Sequence, residues 1–222
     1  MNAPKSVRIT FAAVCGLAVA AAFRAAEIPS AVAPDAALTQ LREGNERFAT
    51  GHASRPEPTA ERRAELAKGQ HPFALIVACA DSRVSPEIIF DQGLGDLFVV
   101  RNAGNLLDDH TIGSIEYAVE HLHVTLVVVL GHSQCGAVTA AIAGGDAPGH
   151  LQSIVEAIAP AVAMARKKPG DALDNAVRIN AKLVAAALAQ SEPLLHPAVV
   201  AGHLQVIAAR YDLASGQVEF FR

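Results

Sequence analysis

Short, unbroken apolar runs alternate along this chain with longer segments in which apolar residues recur every three or four positions. The runs are Phe73–Ala78, Leu97–Val100 and Thr125–Leu130. Each is too short for an ordinary helix and lacks the alternation of a half-exposed strand, so each reads as a strand covered on both faces. β-branched residues are frequent in the third run, as a pleated surface favours. The intervening segments predict helices. Asp35 is placed to cap a helix reaching about Ala49, with Leu38, Leu41 and Phe48 on a broadly common face. Residues 51–58 read as a loop, and Thr59 opens a second helix ending near Lys68 and Gly69. Further helices are predicted over Ile112–His121, Ala137–Ala143, Leu151–Lys167 and Asp171–Gln190, with breaks at Gly144–Gly145 and Pro169–Gly170. A strand within Ala198–Tyr211, a turn at Ala214–Gly216 and a short strand at Val218–Phe221 close the chain. Strands that alternate with helices predict an α/β domain with a mainly parallel central sheet flanked by helices. Ligands bind such sheets beyond the carboxyl ends of the strands.

The chain has 222 residues, 51% of them apolar, which is enough for one sizeable core. Charged residues are 18%, below the usual quarter, and the net charge is −4. Basic residues cluster only at Arg166–Lys168. Nucleic acid is therefore not an expected partner, because its phosphates reward concentrated Lys and Arg. The beginning of the chain stands apart. Lys5 and Arg8 precede the apolar run Ile9–Phe23, which contains Ala20, Ala21 and Ala22. A positive start, an apolar stretch and small residues after it describe a secretory signal, and the run is short for a membrane span of about 20 residues. Residues 1–22 are accordingly read as a signal peptide, 23–34 as a linker and 35–222 as the catalytic domain. The expected location is the periplasm if the source is a Gram-negative bacterium, with no stable membrane anchor after cleavage. An uncleaved anchoring segment is the competing reading. Cleavage removes Cys15 and leaves Cys79 and Cys135, a pair for which a disulfide is the ordinary expectation in an exported protein.

Both of these cysteines fall at the ends of predicted strands. Cys79 opens the sequence Cys79-Ala80-Asp81-Ser82-Arg83, and the third run leads into Gly131-His132-Ser133-Gln134-Cys135-Gly136. If the two strands are neighbours, Cys79, His132 and Cys135 converge. Two thiolates and an imidazole suit zinc, and three protein ligands leave a fourth position for water, the catalytic pattern. A disulfide explains the cysteines but leaves His132, Asp81 and Arg83 without roles. A cysteine nucleophile with His132 as its base is the third reading. Asp81 and Arg83, two positions apart, point the same way on an extended segment. An Asp beside an Arg stays ionised and can orient a zinc-bound water. It is also close enough to become the fourth ligand itself and close the site. A surface ion pair is the plain alternative. His121 and His123 form a His-x-His pair at a predicted helix–strand junction, where a structural role is the simpler reading.

These motifs resemble those of the β-class carbonic anhydrases. The resemblance rests on Cys79-x-Asp81-Ser82-Arg83, His132-x-x-Cys135, the stretch from Gly95 to Asn105, the opening pattern Gly44-Asn45-x-Arg47-Phe48, and Tyr211-Asp212-Leu213 with Gly216. It spans roughly Ala37 to Phe220. It implies reversible hydration of carbon dioxide to bicarbonate by zinc, which lowers the pKa of bound water toward about 7. It implies catalytic roles for Asp81 and Arg83, and a substrate pocket of Gln70, Phe98, Ala103 (smaller than the Val often found there) and Tyr117. It also implies a homodimer or higher homo-oligomer with the active site near the subunit interface. A bicarbonate-regulated branch of the family builds a second pocket from Trp, Arg and Tyr. Arg101 and Tyr211 match it, but Ile76 stands at the Trp position and the chain has no Trp, so that pocket is incomplete. Related hydrolases of carbonyl sulfide or carbon disulfide are an alternative within the resemblance. A non-catalytic zinc-binding protein is an alternative from another class, against which Asp81, Arg83 and Gln70 argue.

Overall fold

A computed structural model describes residues 31–54 and 58–221. The signal-peptide reading and the linker as far as residue 30 lie outside the described residues. Among the described residues no helix is long and apolar enough to cross a membrane.

The apolar runs form the strands β1 (Ala74–Cys79), β2 (Leu97–Asn102) and β3 (Leu126–His132), and the chain closes with β4 (Gln205–Tyr211) and β5 (Val218–Phe221). They make one five-stranded sheet in the order β2-β1-β3-β4-β5. The first four strands pair in parallel and β5 is antiparallel to β4. From β1 the chain passes to β2 on one side and then to β3 on the other. The order thus reverses at the β1–β3 boundary, where parallel sheets open a crevice at their carboxyl ends.

The solid apolar character of β1 and β3 has a direct cause, because every residue of both strands is buried. Ile76, Ala78, Val128 and Leu130 pack with Leu38 and Leu41 of α1 (Pro34–Ala49). Leu75, Val77, Val127 and Val129 face the opposite way. They pack with Ile115 and Ala118 of α4 (Asp109–Leu122) and with Ala181, Val184 and Leu188 of α7 (Ala172–Ala189). The remaining helices are α2 (Ala60–Leu66), α3 (Pro86–Ile89), α5 (Gly136–Ala143), α6 (Leu151–Ala165) and α8 (Leu195–Val200). A third apolar cluster joins α5, α6 and α7, and it contains Cys79 and Cys135.

Several boundaries differ from the sequence reading. The first helix begins at Pro34, not after Asp35; proline fits the first turn, where its missing N–H costs nothing, and Asp35 lies in that turn. Helix α4 starts three residues earlier than expected because Asp108 caps it, accepting a hydrogen bond from Thr111 N. Residues 198–204, inside the segment expected to hold a strand, finish α8 and a turn. Helix α3 has too few residues for a periodic signal. Thr59 and Asp171 cap α2 and α7, as the sequence indicates.

The Gly44-Asn45-x-Arg47 pattern of α1 is a set of close attachments to the rest of the domain. A Cβ at Gly44 would stand 1.8 Å from the Phe90 carbonyl oxygen, so only glycine lets α1 approach there. Asn45 is buried; its Nδ2 donates to the carbonyls of Ile89 and Gly216, and its Oδ1 accepts from Val218 N. Arg47 is ion-paired to buried Asp91 at 2.6 Å, and Asp91 also accepts from Ser54. Asn45 thus ties α1, α3 and the β5 hairpin together. Replacing it with Leu would leave those buried backbone groups without partners, and a loss on the order of 3 kcal/mol is expected. Denaturant unfolding of Asn45→Leu beside the parent chain checks this; a change below about 1 kcal/mol would contradict the assigned role.

Candidate metal centre

The crevice at the strand reversal gathers chemically active side chains. Ala78 of β1 pairs with Leu130 of β3, so Cys79 and His132 end neighbouring strands side by side. The turn after β3 brings Cys135 back toward them. Ser133 N donates to the Tyr211 carbonyl and Ser133 Oγ accepts from Leu213 N, which fixes the turn to the end of β4. Gln134 takes a left-handed conformation with φ 55°, and Cys135 becomes the residue preceding α5. The ligand atoms of Cys79, His132 and Cys135 all lie within 4.8 Å of one another, and all three residues are buried.

His132 is 0% exposed. Its Nδ1–H donates to the Ser133 carbonyl at 2.9 Å. That bond sets the tautomer and leaves Nε2 with a lone pair, which is buried and has no hydrogen-bond partner. An orphaned acceptor of this kind is costly in an interior, and a metal ion relieves it. The two cysteines are free, not bridged. The Cys135 S–H stabilises the Cys79 thiolate and holds the Cys79 thiol well below its ordinary range; the Gly104 N–H adds to this at 3.4 Å. The same sulfur–sulfur contact, with burial, pushes the Cys135 thiol up, although the Ala137 and Val138 N–H groups at the start of α5 act the other way. The pair therefore loses one proton readily and resists losing the second. A divalent cation between the sulfurs removes that conflict. Its donor set would be two thiolates and one neutral imidazole.

Asp81 lies just outside this donor set. Its Oδ2 is 3.9 Å from His132 Nε2. Arg83 holds it through a fork, Nε to Oδ1 at 2.9 Å and Nη2 to Oδ2 at 2.7 Å, and the Arg83 backbone N–H also donates to Oδ1 at 2.9 Å. The guanidinium bonds are the main reason that the Asp81 carboxyl stays far below the usual carboxylate range. Arg101, on β2, donates from Nε to the Cys79 carbonyl at 3.0 Å and from Nη2 to the Asp81 carbonyl at 2.7 Å. It holds the backbone that carries both Cys79 and Asp81.

The carbonic anhydrase family profile matches residues 74–218. Over 188 residues the chain is 44% identical to carbonic anhydrase 2 of Mycobacterium tuberculosis, an alignment covering 83% of this chain and 91% of that protein. It is 42% identical over 190 residues to a carbonic anhydrase of Mycolicibacterium smegmatis, covering 84% and 92%. The chain belongs to the β-carbonic anhydrase family. Among solved structures, the β-carbonic anhydrase CcaA superposes with a TM-score of 0.67 at 28% identity, over 83% of this chain and 95% of that one. A tetrameric β-carbonic anhydrase of Sordaria macrospora gives 0.68 at 26% identity, over 81% and 93%.

Within one chain, the residues expected for the family's substrate pocket are only partly gathered. Ala103 adjoins Gly104, whose N–H reaches Cys79. Phe98 is not at the centre. It pairs with Leu75, whereas Cys79 pairs with Asn102, four residues further along β2, or about 13 Å at the usual strand rise. Gln70 is exposed at the amino end of β1, the end opposite Cys79. Tyr117 lies on α4, 48% exposed, with its ring 5.1 Å from that of His121. His123 takes the left-handed position that ends α4. Of the residues matching the family's regulatory pocket, Ile76 is in the core and Arg101 is engaged by the two carbonyls. Buried Tyr211 has its ring 6.5 Å from that of Phe48.

The sequence reading missed the structural work of Gly104 and Asn180. Asn180 Nδ2 donates to the Gly104 carbonyl at 3.0 Å. Its signal was a single amide on the otherwise apolar stripe of Ala176, Val177, Ala181 and Val184 in α7.

Cys135→Ser exchanges a soft donor for a hard one of similar size and should remove most of the bound metal. Elemental analysis after dialysis is the check. A metal content equal to that of the parent chain would exclude Cys135 as a ligand.

Proposed function

We propose that this chain catalyses the reversible hydration of carbon dioxide to bicarbonate and a proton, with Zn2+ held by Cys79, His132 and Cys135. The observation that carries the reading is the buried, unpartnered His132 Nε2 facing two free thiols, with an ion-paired carboxylate just beyond. Zinc bound by three protein ligands makes water a nucleophile near neutral pH. The names of the relatives, all carbonic anhydrases, support the substrate.

In this reading the chain's own residues do three things. Asp81 accepts a hydrogen bond from the nucleophile and keeps its lone pair aimed at the carbon of carbon dioxide. Arg83 holds Asp81 ionised and away from the ligand position, so the carboxylate orients the nucleophile instead of replacing it. The apolar wall of α5 and α6, including Val138 and Ile158, keeps one side of the centre dry, which strengthens the electrostatic contacts inside. The proton released in the reaction leaves toward the exposed side, where Arg83 and Gln134 lie.

Removing the fork should slow catalysis without releasing the metal. Arg83→Ala and Asp81→Asn are each expected to keep about one zinc per chain and to lose roughly 10- to 100-fold in carbon dioxide hydration. Zinc analysis and stopped-flow hydration assays on the same preparations provide both readings. Parental rates in either variant would exclude the proposed role of the pair.

Two further parts of the proposal concern assembly and location. A homo-oligomer would bring Gln70, Phe98 or Tyr117 of a second copy toward the centre. The exposed apolar side chains of Ile88, Leu94 and Tyr117 support such an interface. Residues 1–22 would direct export and be removed, as Lys5, Arg8 and the apolar run Ile9–Phe23 suggest. The expected result is an exported chain, periplasmic if the source is a Gram-negative bacterium, whose amino terminus, read by mass spectrometry, lies after the apolar run. A mature protein retaining Val7 and Arg8 would rule out cleavage.

A further inference from the structure

The loop that follows β2 touches a ligand sulfur through a single backbone N–H, and one buried amide outside the loop fixes that contact. Gly104 N donates to Cys79 Sγ at 3.4 Å, and Gly104 O accepts from Asn180 Nδ2 at 3.0 Å. Gly104 has a φ of 81°, and a Cβ there would stand 2.9 Å from Ile158 Cδ1. A side chain there would have to push the Ile158 methyl aside, and the backbone is in a left-handed conformation that favours glycine. Within the loop, Asn102 closes the turn on itself: its Oδ1 accepts from Leu106 N at 2.7 Å and its Nδ2 donates to Leu106 O at 2.8 Å. These bonds set the shape of the loop. Asn180 joins it to α7.

Asn180 is 3% exposed and sits in the middle of a helix. An Asn there lowers helix propensity and must be desolvated. Leu would pack on the same apolar stripe without either cost. The position makes sense if the amide is needed by what it holds.

Resting on the reading of Cys79 as a zinc ligand, we infer that Asn180 is a positioning residue that aims the Gly104 N–H at the Cys79 sulfur and so limits how much charge that thiolate gives to the metal. A hydrogen bond to a thiolate draws electron density toward the donor, as donors around a metal site tune its acidity and potential. With Gly104 O released, the peptide is free to turn and the sulfur loses the N–H. Cys79 then becomes the stronger donor, and the metal is less able to acidify water.

The test uses the full chain with cobalt in place of zinc, because sulfur-to-cobalt charge transfer reports the thiolates independently of substrate. Asn180→Leu removes the donor at nearly constant size, and Asn180→Ala removes it without adding any group that could replace it. Each is expected to bind cobalt, to shift the charge-transfer band to longer wavelength, and, as the zinc form, to lower kcat about tenfold with little change in KM. Asn45→Leu, destabilised where α1 meets the β5 hairpin and touching neither Gly104 nor Cys79, serves as the control and should keep the band where it is in the parent. In the parent chain itself, hydrogen exchange should find the Gly104 amide protected. An unshifted band in a folded, cobalt-loaded Asn180 variant would overturn the inference, and so would a Gly104 amide that exchanges as fast as an exposed loop. A band shift of equal size in Asn45→Leu would overturn it too, by assigning the effect to lost stability. If the parent chain showed no thiolate–cobalt band at all, the metal-centre reading would fail first, and that result is distinct from the others.

Discussion

Two sulfurs and an imidazole nitrogen, buried within 4.8 Å of one another, set up a conflict that much of the surrounding structure manages. Left alone, the second thiol resists ionisation beside the first, and the imidazole lone pair has no partner. A cation settles the conflict only if the donors are already in place. The fold fixes each from a different direction. The ends of β1 and β3 carry Cys79 and His132, the start of α5 carries Cys135, and the Ser133 carbonyl turns the imidazole. Around them, Arg101 clamps the Cys79 and Asp81 carbonyls, and Arg83 restrains the neighbouring Asp81 carboxylate. No ligand depends on a long, freely rotating side chain. Precision comes from strand ends and short turns, which a packed sheet holds better than surface loops do.

What the sequence disclosed follows from the range of the interactions involved. The α/β class and the positions of β1 and β3 were legible because both strands are buried on both faces, and a solid apolar run is the direct trace of that. The convergence of Cys79, His132 and Cys135 was legible because all three follow such runs. Helix ends carried by one side chain, at Thr59 and Asp171, were legible too. The start of α4 was missed by three residues, although Asp108 bears the same kind of signal, because no apolar periodicity led up to it.

The remaining site residues act across long sequence separations, and their partners are backbone atoms. Asn180 and Gly104 are 76 positions apart. No local pattern announces a carbonyl waiting for an amide. Arg101 shows the same limit in another form. Its identity matched one member of a regulatory pocket already incomplete without a Trp, and nothing in the sequence pointed to the carbonyls of the Cys79–Asp81 segment that its guanidinium engages. Phe98 is the converse case: a familiar residue in a familiar motif, carried by strand register to the wrong end of β2 for contact within its own chain.

The passage from β3 to β4 takes four helices, although one suffices for a parallel crossover. Helices α5 and α6 are joined by residues 144–150, a mostly exposed stretch in which Gly144, Gly145 and Gly149 all have positive φ. Cys135 is fixed at the near end of α5, and the apolar contacts of α6 are made along its length. The connection between them carries no ligand and lies in none of the three cores. It is a place where homologous chains can differ in length, and where a protein engineer can insert foreign sequence, while the geometry of the donors stays as it is.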